Sequence, residues 1–269
     1  MTLEPNIVKR GDFNIRLATS ADEIRVAQRL RYIVFHLEMG ANLSAENHSM
    51  KTESDEFDDI CDHLLVIRKN DDSGGELSVH DGSVIATYRL LRQSVASLHD
   101  GFYSQTEFDV DALIARKPEL KFLELGRSCV SKNFRGSTVI ELLWQGIWNY
   151  VRQHHIDVMI GCASFEGINV EAHRLALQFI LHDKTAHEWI VHANAKRRLN
   201  LGSNIDTPAD PKLIAASLPP LVKGYMRLGC YFARDAVIDD VFNTIDVLVI
   251  LPVTQINPRY FARFGELTN

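Results

Sequence analysis

Residues 122–165 read FLELGRSCV, SKNFRGSTV, IELLWQGIWNYVRQHH and IDVMIGCASF. They describe a strand, a glycine-bearing turn, a helix and a second strand. In the first piece Leu123, Leu125 and Cys129 point one way, while Glu124 and Arg127 lie on or near the other face. A strand charged on one side is half-buried unless its charges line a cleft. Val139, Leu142, Leu143, Gly146, Ile147, Tyr150 and Val151 then recur at helical spacing and make one broad apolar face. Val158, Met159, Ile160 and Cys162 form a short apolar run, as expected of a strand covered on both faces. Gly136 stands at the helix entrance, where backbone N–H groups can receive a phosphate.

Upstream, Ala21 to Gly40 is predicted to be one helix. Ser20 and Glu23 have the spacing of a capping box, Ile24, Ala27, Leu30, Val34 and Leu37 supply its apolar face, and Gly40 ends it. Arg31 and Phe35 share a flank, where Arg31 is either a solvated side chain or a grip for a substrate carboxylate. Residues 41–62 are acid-rich and without period. Phe57 and Ile60, set among Asp55, Glu56, Asp58 and Asp59, suggest a loop that folds down as a lid and offers carboxylates to an amine. His63–Arg68, Leu77–Val79 and Val84–Leu91 read as strands, with a hairpin turn at His80-Asp81-Gly82-Ser83. Arg89 in an apolar strand end requires an anion beside it. Asp100–Pro118 reads as a turn, an exposed aromatic segment and a short helix.

Downstream, Asn169–Leu181 is predicted helical, and Lys196-Arg197-Arg198 is expected on a solvated helical face or against an acidic protein. Four prolines (Pro208, Pro211, Pro219, Pro220) punctuate an irregular connection before a helix at Leu221–Leu228, ended by Gly229. Val237-Ile238 and Asp246–Val253 close the sheet.

With 269 residues, 46% of them hydrophobic, the chain is long enough for one large domain with a full core. The net charge of −6 argues against general nucleic-acid binding. No apolar run reaches the ~18 residues of a membrane span. The opening MTLEPNIVKRGDFNIRL lacks the apolar centre of a signal peptide, so a cytoplasmic protein is expected. Cys61, Cys129, Cys162 and Cys230 are widely spaced, with no CxxC pair, and read as structural thiols.

The order of these elements resembles the GNAT acyltransferase fold, an α/β (α+β) arrangement with a central mixed, mostly antiparallel sheet flanked by helices. The resemblance implies one GNAT-like domain over residues 1–269, with an inserted or extended helical region near 183–220. The family's phosphate turn is Gln/Arg-x-x-Gly-x-Gly/Ala. Here Asn133, Gly136 and Thr138 stand at those places, and a β-branched Thr138 would crowd a pyrophosphate. A carrier-protein thioester with one phosphate fits the turn better than coenzyme A does.

Two branches of the fold use such donors. Arg31, Phe35, Asp55, Phe57-Asp58, Arg89 and Glu124-Leu-Gly-Arg127 resemble the acyl-homoserine-lactone synthase pattern. RLRYIVFHLEMGA, DEFDDICDHLLV, ATYRLLR, GFYSQTEFD, LELGRSCV, ELLWQGIWNY, GCASFEG, PPLVKGYMRLG and FNTIDVLVILP look like the L-ornithine Nα-acyltransferase family over nearly the whole length. That second resemblance implies transfer of a 3-hydroxyacyl group from acyl carrier protein to the α-amine of ornithine, with no covalent intermediate. No cofactor or metal is implied beyond the phosphopantetheine that the carrier brings.

On that reading Glu124 is the expected base or amine-orienting group, its bland alternative being an ion pair with Arg127. Backbone N–H groups around Ser128, Cys129 and Val130 would hold the oxyanion. Arg31, Arg89 and Arg127 would grip the ornithine carboxylate, and Asp55 and Asp58 an amine. Trp144, Trp148 and Phe165 are candidates for a fatty-chain slot, although aromatic residues on a helix are more often plain core. Lys132, Arg135 and Gly136, with Lys196, Arg197 and Arg198, would meet the acidic carrier. The product would leave at the cytoplasmic membrane face. Alternatives are another amino-acid acceptor, homoserine-lactone synthesis, or a non-catalytic lipid- or carrier-binding role.

Overall fold

The computed structural model describes residues 8–69, 75–199, 201, 210–257 and 260. Its strands are β1 (Val8–Arg10), β2 (Phe13–Leu17), β3 (Asp62–Arg68), β4 (Ser78–Val79), β5 (Gly82–Arg92), β6 (Phe122–Val130), β7 (Val158–Glu166), β8 (Tyr231–Asp239) and β9 (Thr244–Pro252). The helices are α1 (Ala21–Arg31), α2 (Ala45–Met50), α3 (Gln93–Ala96), α4 (Val110–Arg116), α5 (Ser137–Gln153), α6 (Val170–Asp183), α7 (Pro211–Ser217) and α8 (Pro220–Leu228). The strands form one sheet in the order β1-β2-β3-β5-β6-β7-β9-β8, with β4 added to β5. Only β6 and β7 pair in parallel, across the α5 crossover; the other pairs are antiparallel. The expected mixed, mostly antiparallel sheet is therefore present.

Two layers cover the sheet. Leu123, Leu125 and Met159 pack beneath Leu142, Ile147 and Trp148 of α5, together with α6 and α8. On the opposite face Phe122, Ile160 and Leu248 meet Phe57, Phe102 and Phe108, and α1 packs on Leu65 and Ile67. Gly146 lets α5 lie close on the sheet, since a Cβ there would come within 2.8 Å of Ile15 and Leu64.

Two irregularities in the middle strands shape the site. β6 and β7 are in register for only three pairs, Phe122↔Val158 to Glu124↔Ile160, and then part, while β7 continues beside β9 for nine. At the parting a Cβ on Gly161 would stand 2.3 Å from the Leu125 carbonyl oxygen. On its other edge β6 bulges: Thr87 faces Cys129 and Arg89 faces Gly126, so Tyr88 stands opposite both Arg127 and Ser128. Arg127 has φ +52°, and the extra residue brings Glu124 and Arg127, three apart, towards the same face.

Several expectations need correction. The segment after Gly101 is not an exposed aromatic stretch. A 3₁₀ turn at Tyr103–Thr106 directs Phe102 and Phe108 inward, and both are fully buried. The first helix does not run as one α-helix to Gly40, because Tyr32–Glu38 is π-helical. Only half of the capping box forms: Ser20 accepts from the Glu23 N–H, but the Glu23 carboxylate turns to Arg16 and Thr19. No element was expected at Phe13–Leu17, which is a buried strand. Between Asp183 and Pro220 the described residues hold only a 3₁₀ turn at His187–Trp189 and α7; residues 200 and 202–209 lie outside the described set. β8 begins six residues earlier than the sequence suggested, at Tyr231.

Replacing Gly161 by Ala should destabilise the protein by about 1–3 kcal/mol, since the obstructing atom is backbone and cannot rotate away. Denaturant unfolding of Gly161→Ala beside the parent chain checks this.

Candidate active site

The acid-rich segment does fold down over the sheet, and its carboxylates meet arginines. Arg31, the last residue of α1, donates Nε to Glu53 (2.5 Å), both Nη atoms to Asp58 (2.6 and 2.8 Å) and Nη2 also to the Glu53 carbonyl. Arg89 of β5 reaches Asp55 at 2.5 Å and Asp58 at 3.3 Å. Arg127, on the bulge, donates to Glu53 (3.1 Å) and Asp55 (2.9 Å). Asp55 and Asp58 also form a capping box on the 3₁₀ turn Glu56–Asp59, which fixes both carboxylates relative to the backbone.

Three guanidinium groups thus face three carboxylates away from water. Burial alone would raise the Asp58 pKa, but Arg31 and Arg89 hold it well below the usual carboxylate range. Burial would likewise lower the Arg31 pKa, yet Glu53 and Asp58 keep it above its ordinary value. His63, whose Nε2 meets the Asp58 carbonyl, is pushed down by burial.

Arg31, at 1% exposure and with its donors engaged, holds the loop rather than offering a hand to a substrate. Arg127 lies nearer the surface of this network. Its guanidinium is sandwiched between the rings of Tyr103 (4.4 Å) and Phe242 (4.6 Å). Phe35 braces Phe242 edge-on at 5.5 Å, and Phe57 meets Tyr103 at 5.7 Å.

Glu124 makes no ion pair with Arg127. Its two oxygens accept the backbone N–H groups of Tyr103 and Ser104, both at 2.8 Å. Burial raises its pKa, and Ser104, through side chain and N–H, together with the Tyr103 N–H, tempers the rise. The sequence expectation made it a base or amine-orienting group, or else an ion-pair partner of Arg127. Here it anchors the 3₁₀ turn that carries Tyr103.

Across Tyr103 lies a group whose members fall in three of the family phrases but were assigned no site role from the sequence. Glu107 (1% exposed) and Asp246 (5%) sit with Cys162, their donor atoms all within 4.8 Å of one another. The Cys162 thiol donates to Glu107 at 3.4 Å, and Thr244 donates to Asp246 at 2.8 Å. Asp239, capping the following turn through the Val241 and Phe242 N–H groups, adds a third carboxylate, 3.5 Å from the Tyr103 hydroxyl. Burial, then Asp246 and Asp239, push Glu107 up to about 7, and burial raises Asp246 to about 6. A signal existed: Asp246 opens the apolar strand DVLVILP, so the cost argument made for Arg89 applied to it equally.

Burial also raises the thiols, Cys61 and Cys230 to about 12 and Cys129 and Cys162 above their ordinary value, as structural cysteines should be. Trp148 and Phe165 are core residues and do not line a slot. Trp144 borders a cavity of about 10 Å³ in the parting of β6 and β7, with Tyr225 also in its lining and meeting Trp144 edge-on at 6.1 Å.

At the α5 entrance Gly136 has an ordinary φ of −104°, and a Cβ on it would meet nothing within 4 Å. The glycine leaves open space rather than supplying a special turn. Lys132 is exposed, whereas Arg135 pairs with Glu38. Lys196, Arg197 and Arg198 are on an irregular turn, not a helix face. Arg197 stands 3.6 Å from Glu107, and Arg198 stands 3.3 Å from Asp235.

A parallel β6–α5–β7 crossover whose strands part, with a bulged central strand and a polar face across it, defines an acyltransferase of the GNAT class. Residues 30–145 match the acetyltransferase (GNAT) domain model. The N-acyl amino acid synthase FeeM from uncultured soil microbes superposes with a TM-score of 0.50 at 11% identity, covering 96% of this chain and 99% of that one. The L-ornithine N(alpha)-acyltransferase of Agrobacterium fabrum is 45% identical over 95% of this chain and 86% of its own. The protein of the same name from Rhizobium meliloti is 44% identical over 95% of this chain and 85% of its own. The chain belongs to the L-ornithine Nα-acyltransferase family.

Asp58→Asn should lower stability by about 3–5 kcal/mol, because it leaves Arg31 and Arg89 short of a buried partner. The sign with pH follows from the lowered Asp58 pKa. Its stabilisation is complete above the ordinary carboxylate value of about 3.9 and is lost as pH falls below it. The variant should therefore lose less stability than the parent between neutral pH and acid. Urea unfolding at several pH values measures both.

Proposed function

We propose that the protein moves a 3-hydroxyacyl group from acyl carrier protein to the α-amine of L-ornithine, giving lyso-ornithine lipid, the first step of ornithine-lipid synthesis. The observation that carries this reading is the near-full-length likeness to proteins named for ornithine Nα-acylation. The chemistry divides between the two faces of β6. The thioester enters at the parting of β6 and β7, with its phosphate at the open α5 entrance beside Gly136. Its carbonyl oxygen is received by backbone N–H groups near the bulge, around Ser128, Cys129 and Val130.

The acceptor lies on the face of Arg127, Tyr103 and Asp246. Arg127 is the arginine best placed for the ornithine carboxylate, since Arg31 is enclosed. A carrier-bound donor suits a turn that has Thr138 where the family's pyrophosphate turn has Gly or Ala, and the exposed Lys132 and Lys196 suit an acidic carrier. Among the described residues no helix is long and apolar enough to cross a membrane. The amphiphilic product would pass to a membrane surface by contact.

Purified protein incubated with 3-hydroxyacyl carrier protein and a panel of amino acids should give acyl-ornithine by mass spectrometry, and none with acyl-CoA. Product on another amino acid would replace the acceptor, product from acyl-CoA would replace the donor, and no product would leave a binding role. Lys132→Glu and Lys196→Glu should each raise KM for the carrier severalfold at low salt, with kcat unchanged and the difference fading as salt screens it. Steady-state kinetics at two ionic strengths checks this.

A further inference from the structure

The attacking α-amine reaches the enzyme as an ammonium ion and must lose a proton before it can form a bond. The carboxylates around the arginines are poorly placed to take it. Glu53, Asp55 and Asp58 are each held by guanidinium groups. Glu124, the one the sequence favoured, is committed to the 3₁₀ turn, each oxygen accepting a backbone N–H of Tyr103 or Ser104. Asp239 caps a turn through Oδ1.

Glu107 and Asp246 differ from all of these. They face each other beside Cys162, and among the described residues the nearest ion-pair contact to either is the half-exposed Arg197, 3.6 Å from Glu107. Their place in the fold is also open. Ser164, directly opposite Asp246 in the register, is exposed although it lies inside a nine-residue strand, and Cys162 on the same side is half-buried. The sheet is therefore uncovered next to the pair. Tyr103 ties this opening to the rest of the site: its ring lies on Arg127, its N–H on Glu124 and its hydroxyl near Asp239.

We propose that Glu107 and Asp246 act together as the base that takes the proton from the acceptor ammonium, an inference that rests on the proposed N-acyl transfer. The ammonium gives one proton to the pair. The freed nitrogen lone pair forms the C–N bond at the thioester carbonyl, and the C–S bond breaks. The departing sulfur takes the second nitrogen proton and leaves as the thiol. The pair then releases its proton to water, so one proton is liberated per turnover.

The groups that set the pair's ionisation come from every element around it: Cys162 and Ser164 on β7, Asp239 at the end of β8, Thr244 on β9, Arg127 on β6 and Arg197 on the 195–198 turn. Crowded buried carboxylates of this kind hold a proton near neutrality, where a base is most effective.

The parent enzyme should gain activity with rising pH through an apparent pKa near 6 to 7, the range of the pair. Glu107→Gln and Asp246→Asn should each lower kcat at neutral pH by about 100-fold or more, with KM for the acyl carrier unchanged. Both should regain rate as pH rises above the amine's own pKa, where no base is needed. Glu107→Asp should keep most of the activity. Because both acids have a higher pKa in the fold than in the unfolded chain, their penalty grows as pH rises from about 4 towards neutrality. Glu107→Gln should therefore melt no lower than the parent at pH 8.

A kcat within twofold of the parent and an unmoved ascending limb in either variant would overturn the assignment. So would lost activity that high pH does not restore, or activity abolished by EDTA and returned by a divalent cation, which would make the cluster a metal site. Product on a different amine leaves the base in place and overturns only the ornithine reading; no product with any amine overturns both.

Discussion

Three guanidinium groups taken out of water set the terms for the rest of this structure. Arg31, Arg89 and Arg127 come from α1, β5 and β6, elements separated in sequence, and none can be buried without a counter-charge. The segment carrying Glu53, Asp55 and Asp58 supplies the charges, and so a stretch with too little apolar content to pack as an ordinary helix is fastened to the sheet. Breaking one pair would strand charge in the interior, which is why the loop and the strands stand or fall together. The bulge on β6 is part of the same constraint. A regular strand would not bring both Glu124 and Arg127, three residues apart, towards this face, and Arg127 at φ +52° is held by its two carboxylates and by the rings on either side.

The carboxylates on this face fall into two electrostatic sets with opposite behaviour. Asp58 is held ionised by its arginines. Glu107 and Asp246 are shifted towards the neutral acid, both of them first by burial, then Glu107 by Asp246 and Asp239 and Asp246 by Asp239. Tyr103 stands between the sets, touching Arg127 with its ring and facing Asp239 with its hydroxyl. A charged acceptor with a carboxylate and an amine has matching surroundings along that line. Under the proposed function its carboxylate would lie towards Arg127 and its amine towards the acids. The ion-paired set stays charged, with Arg127 at its outer edge, whereas the other set gains and loses protons near neutrality.

Much of this was legible in the sequence where a single local rule applied. Helical spacing from Val139 to Val151 placed α5, the apolar run from Val158 placed β7, and the cost of burying Arg89 called for an anion that Asp55 and Asp58 supply. What escaped was whatever depends on two distant segments meeting. Phe102 and Phe108 sit among polar neighbours and read as exposed, because only the 3₁₀ turn, pinned by Glu124, aims them inward. Glu124 itself had two plausible partners, and neither was the backbone of Tyr103 and Ser104. Trp148 and Phe165, readable as a fatty-chain slot or as plain core, take the second place and fill the space between the sheet and its helices. Glu107 and Asp246 are 139 positions apart, and nothing local to either announces the other.

The parting of β6 and β7 shows how narrow the remaining freedom is. The cavity there is about 10 Å³, room for roughly one water, with Trp144 and Tyr225 at its border. A fatty acyl arm occupies many times that volume. Under the proposed function the donor must therefore displace those rings, while the acceptor meets side chains already fixed by ion pairs and by the aromatic sandwich around Arg127. The acyl side would then adapt to chains of different length, and the amino-acid side would be the one that discriminates. Discrimination belongs on that side for a physical reason. Placing an ammonium and a carboxylate among buried charges is costly when any group is mismatched, whereas one methylene more or less in an apolar slot changes binding by only about 1–3 kcal/mol.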